Sequence, residues 1–192
     1  MNYNLTLKTA PTTEPVTLAE IKAHSVVDFG DDDALLDMYA RAARQQVEND
    51  TGLCLIDQTW LQLHESFEGE IALYKSPKAA VQSLKYIDTN GAEQTLATDQ
   101  YTVGERFGLA RVCPSYGNSW PSIRKGLGAV SIEYTAGYGA DGNAVPAPIK
   151  QAIMVMTEHL YENRGIATPV ALTEIPASYD ALISPYQRKA LL

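Results

Sequence analysis

The sequence contains few cysteines, few basic residues and no long apolar run. Its two cysteines, Cys54 and Cys113, form no C-x-x-C pair and cannot build a disulfide framework. We expect both to be reduced thiols in a protein made in the cytoplasm. The longest apolar stretches, such as residues 152–156, are too short to cross a bilayer. Residues 1–15 lack the basic and apolar regions of a signal peptide, so we expect none.

Basic side chains are outnumbered by acidic ones. The chain has 15 Lys and Arg against 23 Asp and Glu, a net charge of −8. A protein that grips nucleic acid by releasing counterions needs a basic face, so this balance argues against tight binding of nucleic acid. Residues 1–96 carry 7 basic and 15 acidic side chains, whereas residues 97–192 carry 8 of each. The acids within residues 28–50 are typical of a solvated helix, or of a surface that repels an anion or docks on a basic partner.

The rest of the composition is that of a globular protein. Of 192 residues, 45% are hydrophobic and 20% are charged, and a chain of this length buries about 70% of its unfolded surface without disulfide staples. We predict a single domain, residues 1–192, rather than two domains in series. Three helices split across a β block would otherwise each leave an apolar stripe unburied.

Two helices are predicted before residue 54. Thr17 and Glu20 have the spacing of a capping box, which predicts a short helix to about residue 25. The three acids of residues 31–33 suit the first turn of a second helix, and we expect one of them to cap it. Apolar spacing continues this helix to residue 50, and Gly52 ends it.

Helical spacing returns after Pro146, where two prolines suit a first turn. We predict a third helix to residue 165, so that the helical core comprises residues 17–53 and 146–165. Residues 1–16 are polar and contain proline, which predicts a loose arm. Residues 166–178 are expected to be a linker, followed by a short apolar and then basic tail over residues 179–192.

Between the helices the apolar period is close to two. Alternation at residues 59–64 and 84–86, with Asn90-Gly91 as a hairpin signal, predicts antiparallel strands. The sequence therefore predicts an α+β fold. In this fold a small helical core of three main helices and a C-terminal tail carries an antiparallel β-rich block, residues 54–138, inserted between the second and third helices.

Motifs for catalysis or cofactors are weak. Residues 137–142 match G-x-G-x-x-G, but four residues separate the last glycine from the helix and no acid follows at the spacing that ribose binding requires. A flexible glycine turn is therefore favoured over a nucleotide site. The three histidines lack metal-ligand spacing and are interpreted as packed residues. We predict no catalytic residues, no cofactor and no metal.

A further group of residues mixes positive charge and aromatic rings in the middle of the chain. Such mixing suits a nucleic-acid platform or a protein interface, and the low count of basic residues favours the interface. An alternative is a module in which Trp60 and Trp120 bind a peptide or a sugar. The group comprises Arg106, Arg111, Arg124 and Lys125 with Tyr101, Phe107, Tyr116 and Trp120.

Several segments, in this order, resemble a known family. The sequence is similar to head–tail connector (adaptor) proteins of long-tailed bacteriophages, in the subset that carries a β insertion. The resemblance extends from residue 17 to residue 186. It rests on Leu18-Ala19-Glu20-Ile21-Lys22 with the acids to Asp33, and on residues 40–48, 51–60, 134–138, 145–153, 160–164 and 182–186.

The resemblance implies a virion structural protein without enzymatic activity. Such proteins form a ring, typically of twelve subunits, below the portal protein in the phage neck. The ring extends the DNA channel and presents a platform for the next neck or tail-completion protein. The expected partners are therefore copies of this chain, the portal and that tail-side protein, with DNA only in transit and no membrane. The expected location is the virion, after synthesis in the cytoplasm of the host bacterium, from a phage or prophage gene.

Two sets of site residues are predicted, one from the resemblance and one from the distribution of charge. The C-terminal segment of relatives engages the portal, and we expect it to order only on binding. The acids near the second helix are predicted to line the channel, since a basic wall would trap DNA that has to slide. The portal-docking candidates are Leu182, Ile183, Pro185, Tyr186, Arg188 and Lys189, and the channel-lining candidates are Asp31, Asp32, Asp33 and Asp37. The alternative remains a nucleotide-binding enzyme that uses residues 137–142, or the peptide- or sugar-binding module.

Overall fold

The computed structural model describes residues 3–106, 108–163 and 176–187. The chain forms two compact units. The β unit comprises residues 1–11 and 57–138, and the helical unit comprises residues 12–56 and 139–192. Seven of the eight strands in the described residues follow the second helix and precede the third, as the predicted α+β fold requires.

The helical unit contains four α-helices within the described residues. The two long helices, α2 and α3, pack together through the predicted apolar stripes. Leu36 and Val47 of α2, and Ile149 and Ile153 of α3, are fully buried. No helix in these ranges is both long and apolar enough to span a membrane. The helices are α1 (Leu18–His24), α2 (Asp33–Thr51), α3 (Ala147–Glu162) and α4 (Ala177–Ile183).

Local sequence signals begin and end these helices. The capping box of α1 is confirmed, because Thr17 Oγ1 accepts from the Glu20 amide at 3.2 Å and the Glu20 carboxylate accepts from the Thr17 amide at 2.7 Å. Gly52 ends α2 with φ +72, a left-handed conformation that glycine adopts without steric cost. Pro146 and Pro148 open α3, where their missing amides leave no hydrogen bond unmade.

The β unit contains two antiparallel sheets. The larger has the order β1-β2-β8-β4-β5 and the smaller the order β3-β7-β6. The Asn90-Gly91 hairpin is confirmed between β4 and β5, where Asp88 accepts the amides of Asn90 and Ala92. The strands are β1 (Tyr3–Thr9), β2 (Gln58–His64), β3 (Ile71–Ala72), β4 (Ala80–Ile87), β5 (Glu93–Thr95), β6 (Tyr101–Arg106), β7 (Leu109–Pro114) and β8 (Val130–Ala136).

The prediction of a loose arm over residues 1–16 is wrong for its first part. Residues 3–9 form β1, which pairs antiparallel with β2 along its whole length. The strand is an edge strand, and most of its described side chains are exposed. Its sequence nevertheless alternates Tyr3, Leu5 and Leu7 with polar residues, a strand signal that the prediction of a loose arm overlooked. The β sheet is thus built from the insertion plus one strand that precedes all the helices.

A buried polar cluster supports the centre of the larger sheet. Every second residue of β8 is buried, and among them Tyr134 donates its hydroxyl to Gln62 Oε1 at 3.2 Å. The Gln62 amide donates to the carbonyl of Ala72 at 2.7 Å and lies 2.8 Å from His64 Nε2. Burial lowers the pKa of His64. This histidine is packed and hydrogen-bonded, as its sequence context predicted.

We predict that the α1 cap contributes to stability in a pH-dependent way. Hydrogen bonds from Lys150 Nζ, at 2.8 Å, and from the Thr17 amide lower the pKa of Glu20 from 4.5 to about 2. A carboxyl whose pKa is lower in the folded state stabilises that state above its unfolded pKa. Glu20→Gln should therefore cost about 0.5–1 kcal/mol at pH 7. The difference should narrow as the pH falls from 4.5 towards 2, as measured by urea unfolding; a constant difference would contradict this role.

Candidate assembly surfaces

The acids at the start of α2 connect helices rather than cap one. Asp32 occupies the N-cap position, but its side chain makes no capping hydrogen bond, so the predicted capping by an acid is wrong. Its Oδ2 instead accepts from the Tyr161 hydroxyl of α3 at 2.6 Å. Asp33 pairs with Lys22 of α1 at 2.7 Å. These two carboxylates therefore join α2 to its neighbours within the helical unit.

The two other predicted channel-lining acids differ in their surroundings. Asp37 pairs with Arg41 one turn further along α2, at 2.6 Å and on the solvent side. Asp31 is exposed, and its carboxylate has no hydrogen bond or ion pair among the described residues. The four candidates lie close together along the chain, and Asp31 is the one whose carboxylate has no partner within the residues that the structure describes.

The C-terminal segment is packed on the helical unit over its described part. The expectation that it orders only on binding is wrong for residues 177–187, because α4 packs against α2 and α3. Tyr179 and Ile183, one turn apart, are both 1% exposed. The Tyr179 hydroxyl donates to Asp50 at 2.7 Å, and burial followed by this hydrogen bond raises the pKa of the phenol.

The portal-docking candidates divide into inward and outward residues. Ile183 belongs to the core of the helical unit, so its side chain is not available for docking. Leu182, in the last turn of α4, is half-buried. In the short 3-10 turn that follows, Tyr186 is half-buried and Pro185 is exposed. The candidates Arg188 and Lys189 lie outside the described residues.

A buried ion cluster, missed by the sequence analysis, lies at the middle of the helical unit. Arg44 of α2 pairs with Glu48 at 2.6 Å and with Glu14 at 2.7 Å, and its side chain is 8% exposed. The second carboxylate oxygen of Glu48 accepts from the Leu55 amide at 2.9 Å. The signal in the sequence was a pair of opposite charges four residues apart that falls on the apolar face of α2.

Residues 12–16 fill a narrow space in the helical unit. The Thr13 hydroxyl donates to the carbonyl of Ala140 at 2.9 Å, and Glu14 belongs to the buried ion cluster. Gly142 lies against Pro15, and a Cβ at Gly142 would approach the Pro15 carbonyl oxygen to 2.3 Å. This segment is therefore held from both sides by polar contacts and close packing.

The glycine run at residues 137–142 is explained by packing. In the β unit, a Cβ at Gly137 would lie 2.5 Å from the backbone nitrogen of Asp57. In the helical unit, Gly142 is required by Pro15, and Asp141 caps a 3-10 turn by accepting the Asn143 amide at 2.9 Å. The backbone is close to other backbone at both ends of the run, which accounts for its glycines without a nucleotide.

The predicted basic and aromatic group does not form one site. Arg106 and Arg111 both approach Glu70, at 3.7 and 3.5 Å, on the smaller sheet. Arg124 and Lys125 lie instead in the loop between β7 and β8, exposed and without an ion pair in the described parts of the chain. Of the aromatic members, Tyr101 is buried, Tyr116 is fully exposed and Phe107 lies outside the described residues.

The two tryptophans already have partners. Lys75 Nζ lies 4.7 Å above the ring of Trp60, a cation–π contact. Trp120 stacks on Phe67 with ring centroids 4.5 Å apart, and its indole nitrogen donates to the carbonyl of Glu68. The two rings are therefore engaged by the β unit itself, which reduces the surface that they offer to a peptide or sugar.

Histidines and cysteines do not gather in the described residues. His24 Nε2 lies 3.3 Å from the Glu158 carboxylate but outside hydrogen-bond geometry, and His159 lies beside Asn163. Cys54 is buried and Cys113 half-buried, both as free thiols. Across residues 3–106, 108–163 and 176–187, no three His, Cys, Asp or Glu side chains form a group that could hold a metal ion.

Comparisons with known proteins agree with this architecture. The model of the family described as phage gp6-like head–tail connector protein matches residues 15–108, from α1 into the β unit. No curated protein matches the chain. Among solved structures, a chain in the virion of a native gene transfer agent (GTA) particle is 28% identical, with a TM-score of 0.81. The match covers 98% of this chain and 97% of that one.

Two further solved structures come from the necks of such particles. A chain in the neck of an empty GTA particle, computed with C6 symmetry, is 26% identical with a TM-score of 0.81, over 98% and 97% of the two chains. A chain in the neck of a native GTA particle, computed with C12 symmetry, is 27% identical with a TM-score of 0.77, over 100% and 98%. The chain is therefore a virion structural protein of the head–tail connector kind, similar to phage gp6-like connector proteins over residues 15–108 and to GTA neck chains over nearly its whole length.

We predict that the buried ion cluster around Arg44 stabilises the fold far more than the exposed ion pair of Arg41 with Asp37. Arg44 and Arg41 lie on the same helix, and each pairs with an acid four residues away, but Arg41 is 61% exposed. Arg44→Ala leaves the Glu48 carboxylate buried without its counterion and should cost about 3–5 kcal/mol. Arg41→Ala should cost about 0.5 kcal/mol or less. Guanidinium unfolding of both variants provides the measurement, and equal losses would contradict the assignment.

Proposed function

We propose that this chain forms a ring, with twelve copies in the assembled neck, between the portal and the tail of a phage-like particle. The observation that carries the proposal is the match over nearly the full length of this chain to proteins solved in particle necks. The C12 and C6 symmetries with which those necks were computed support a ring. Within the ring the chain extends the DNA channel and presents a platform to the tail-side protein.

We infer a structural rather than enzymatic role. The motif that suggested nucleotide binding, residues 137–142, is accounted for by close packing against Asp57 and Pro15. The acidic balance of the chain, net −8, suits a protein through which DNA passes without being held. The proposed location is the neck of the virion, after synthesis in the bacterial cytoplasm.

Portal docking is assigned to the outward residues of the C-terminal segment. Because Tyr179 and Ile183 are buried, they hold α4 on the helical unit, whereas Leu182, Pro185 and Tyr186 remain accessible. An apolar segment already fixed in place loses less conformational entropy on binding than a free tail. The basic residues Arg188 and Lys189 follow directly in the sequence and extend the proposed docking segment.

The docking proposal predicts that Leu182→Asp with Tyr186→Ala abolishes capture by purified portal rings. The two substitutions remove apolar contact and add a charge at the docking surface while the buried residues of α4 stay in place. Binding is measured by co-sedimentation and negative-stain imaging. Ala181→Asp, an exposed substitution on the same helix, is the matched control for an added charge. Unchanged capture by the double variant would refute docking through this segment.

Channel lining is assigned to the acids that lie at the beginning of α2. Asp31 and Asp37 are the candidates best placed for it, because Asp32 and Asp33 join α2 to α3 and α1, whereas Asp37 pairs with Arg41 on the solvent side. An acidic wall repels the phosphates of DNA and leaves the duplex free to slide. Asp31 contributes most in this respect, since its charge has no partner in the described residues.

The channel proposal predicts that Asp31→Lys with Asp37→Lys slows the passage of DNA. Lysines around the ring would pair with phosphates, so particles carrying the variant should package or eject DNA several-fold more slowly, and high salt should reduce the defect. Asp57→Lys with Asp99→Lys, exposed acids of the β unit, is the charge-matched control. A ring reconstruction with residues 31–37 on its outer surface would refute channel lining.

A further inference from the structure

Exposed apolar side chains are concentrated in two loops. Val26 and Phe29, 89% and 47% exposed, lie between α1 and α2; Tyr116 and Leu127, 107% and 93% exposed, lie between β7 and β8. Exposed apolar side chains that cluster in this way are typical of surfaces that bind a partner. The loop at residues 25–31 is called the acidic loop, and the loop at residues 115–129 the basic loop.

The acidic loop is held in a fixed conformation. Lys22 Nζ donates to the carbonyl of Phe29 at 2.6 Å and pairs with Asp33 at 2.7 Å, which ties the loop to both flanking helices. Val26 has φ +53, a conformation that β-branched residues rarely adopt. The loop contains Asp28 and Asp31 but no Lys or Arg. It therefore presents an aromatic ring beside negative charge.

The basic loop has the opposite charge and is built from two similar turns. The Asn118 amide donates to Ser115 and the Ala129 amide donates to Gly126, with Tyr116 and Leu127 at the second position of each turn. The third position of each turn is a glycine with positive φ, Gly117 and Gly128, as type II turns require. The loop contains Arg124 and Lys125 but no acid.

A groove of about 340 Å³ lies along the basic loop. Phe67, Trp120, Pro121 and Ile123 form the apolar part of its lining, beside Ser66, Ser122 and Lys125. The stacked rings of Phe67 and Trp120 give it a rigid wall. Pockets of roughly 300 Å³ and larger accept small organic ligands. The groove is therefore large enough for one aromatic side chain accompanied by an anion near Lys125.

We propose that Phe29 of one copy inserts into this groove on the next copy, with Asp28 opposite Lys125. The inference rests on the proposed ring, which needs two different surfaces on each chain that meet head to tail. The acidic and basic loops supply such a pair, complementary in charge and both carrying exposed apolar groups. Aromatic residues seated in apolar pockets are the side chains that dominate binding energy at protein interfaces. Asp31, the last residue of the acidic loop, takes no part in the proposed pairing with Lys125.

Phe29→Ala tests the anchor. Removing the ring should weaken self-association, followed by analytical ultracentrifugation and mass photometry with and without portal rings, by about tenfold or more. Val103→Ala, an exposed apolar residue of β6 outside the groove, is the control and should assemble as the wild type does. Equal assembly of the Phe29→Ala and wild-type proteins would overturn the proposal.

A charge exchange tests the pairing. Lys125→Glu and Asp28→Lys should each weaken assembly, because each places like charges opposite one another, and the combined variant should restore it. The restored interaction should weaken with salt in the same way as the wild type. If the combined variant assembles less well than either single variant, the pairing of Asp28 with Lys125 is overturned.

Cysteine cross-linking reports the contact directly. A chain with both Asp28→Cys and Lys125→Cys should form, under mild oxidation of assembled rings, disulfide-linked ladders longer than dimers, because each copy joins two neighbours. Each single variant should stay monomeric on denaturing gels, which controls for Cys54 and Cys113. Rings without a ladder would overturn this interface while leaving the connector function intact. Failure to form any ring or ladder, even with portal, would count against both.

Discussion

The pairing of Arg44 with Glu14 and Glu48 is the interaction on which the helical unit depends. It joins α2 to residues 12–16, which follow β1, and to residues 53–56, which precede β2. The chain enters the helical unit near Glu14 and leaves it near Leu55. The Arg44 guanidinium holds both places, through its ion pairs with Glu14 and with Glu48. A charge cluster buried to this extent is stable only when each member keeps its partners, because an isolated buried charge is costly.

The acids around the start of α2 link the helices of the unit to one another. Asp32 and Asp33 tie α2 to α3 and α1, and Lys22 extends the second tie to the acidic loop. Phe29 is consequently held outward by the same contacts that stabilise the helices. The packing of the unit and the presentation of its proposed contact surface therefore have a common physical origin.

Local features were predictable from the sequence, whereas long-range ones were not. The capping box at Thr17, the end of α2 at Gly52 and the Asn90-Gly91 hairpin were all confirmed, because each depends on residues within a few positions of one another. The strand β1 was missed although Tyr3, Leu5 and Leu7 alternate with polar residues, because its partner β2 lies fifty or more positions away in the sequence. The channel-lining and portal-docking candidates were predicted as groups of neighbours along the chain. The sequence did not show which of them form contacts within the folded chain.

The order of segments along the chain was enough to predict the α+β class and the connector family, since both follow from local periodicity and motif order. It could not distinguish Asp31 from Asp32 or Leu182 from Ile183, which are adjacent and chemically alike. Tertiary packing makes that distinction: Tyr161 engages Asp32, and the helical core buries Ile183. Availability for binding depends on contacts between residues far apart in sequence, and these exist only once the chain has folded.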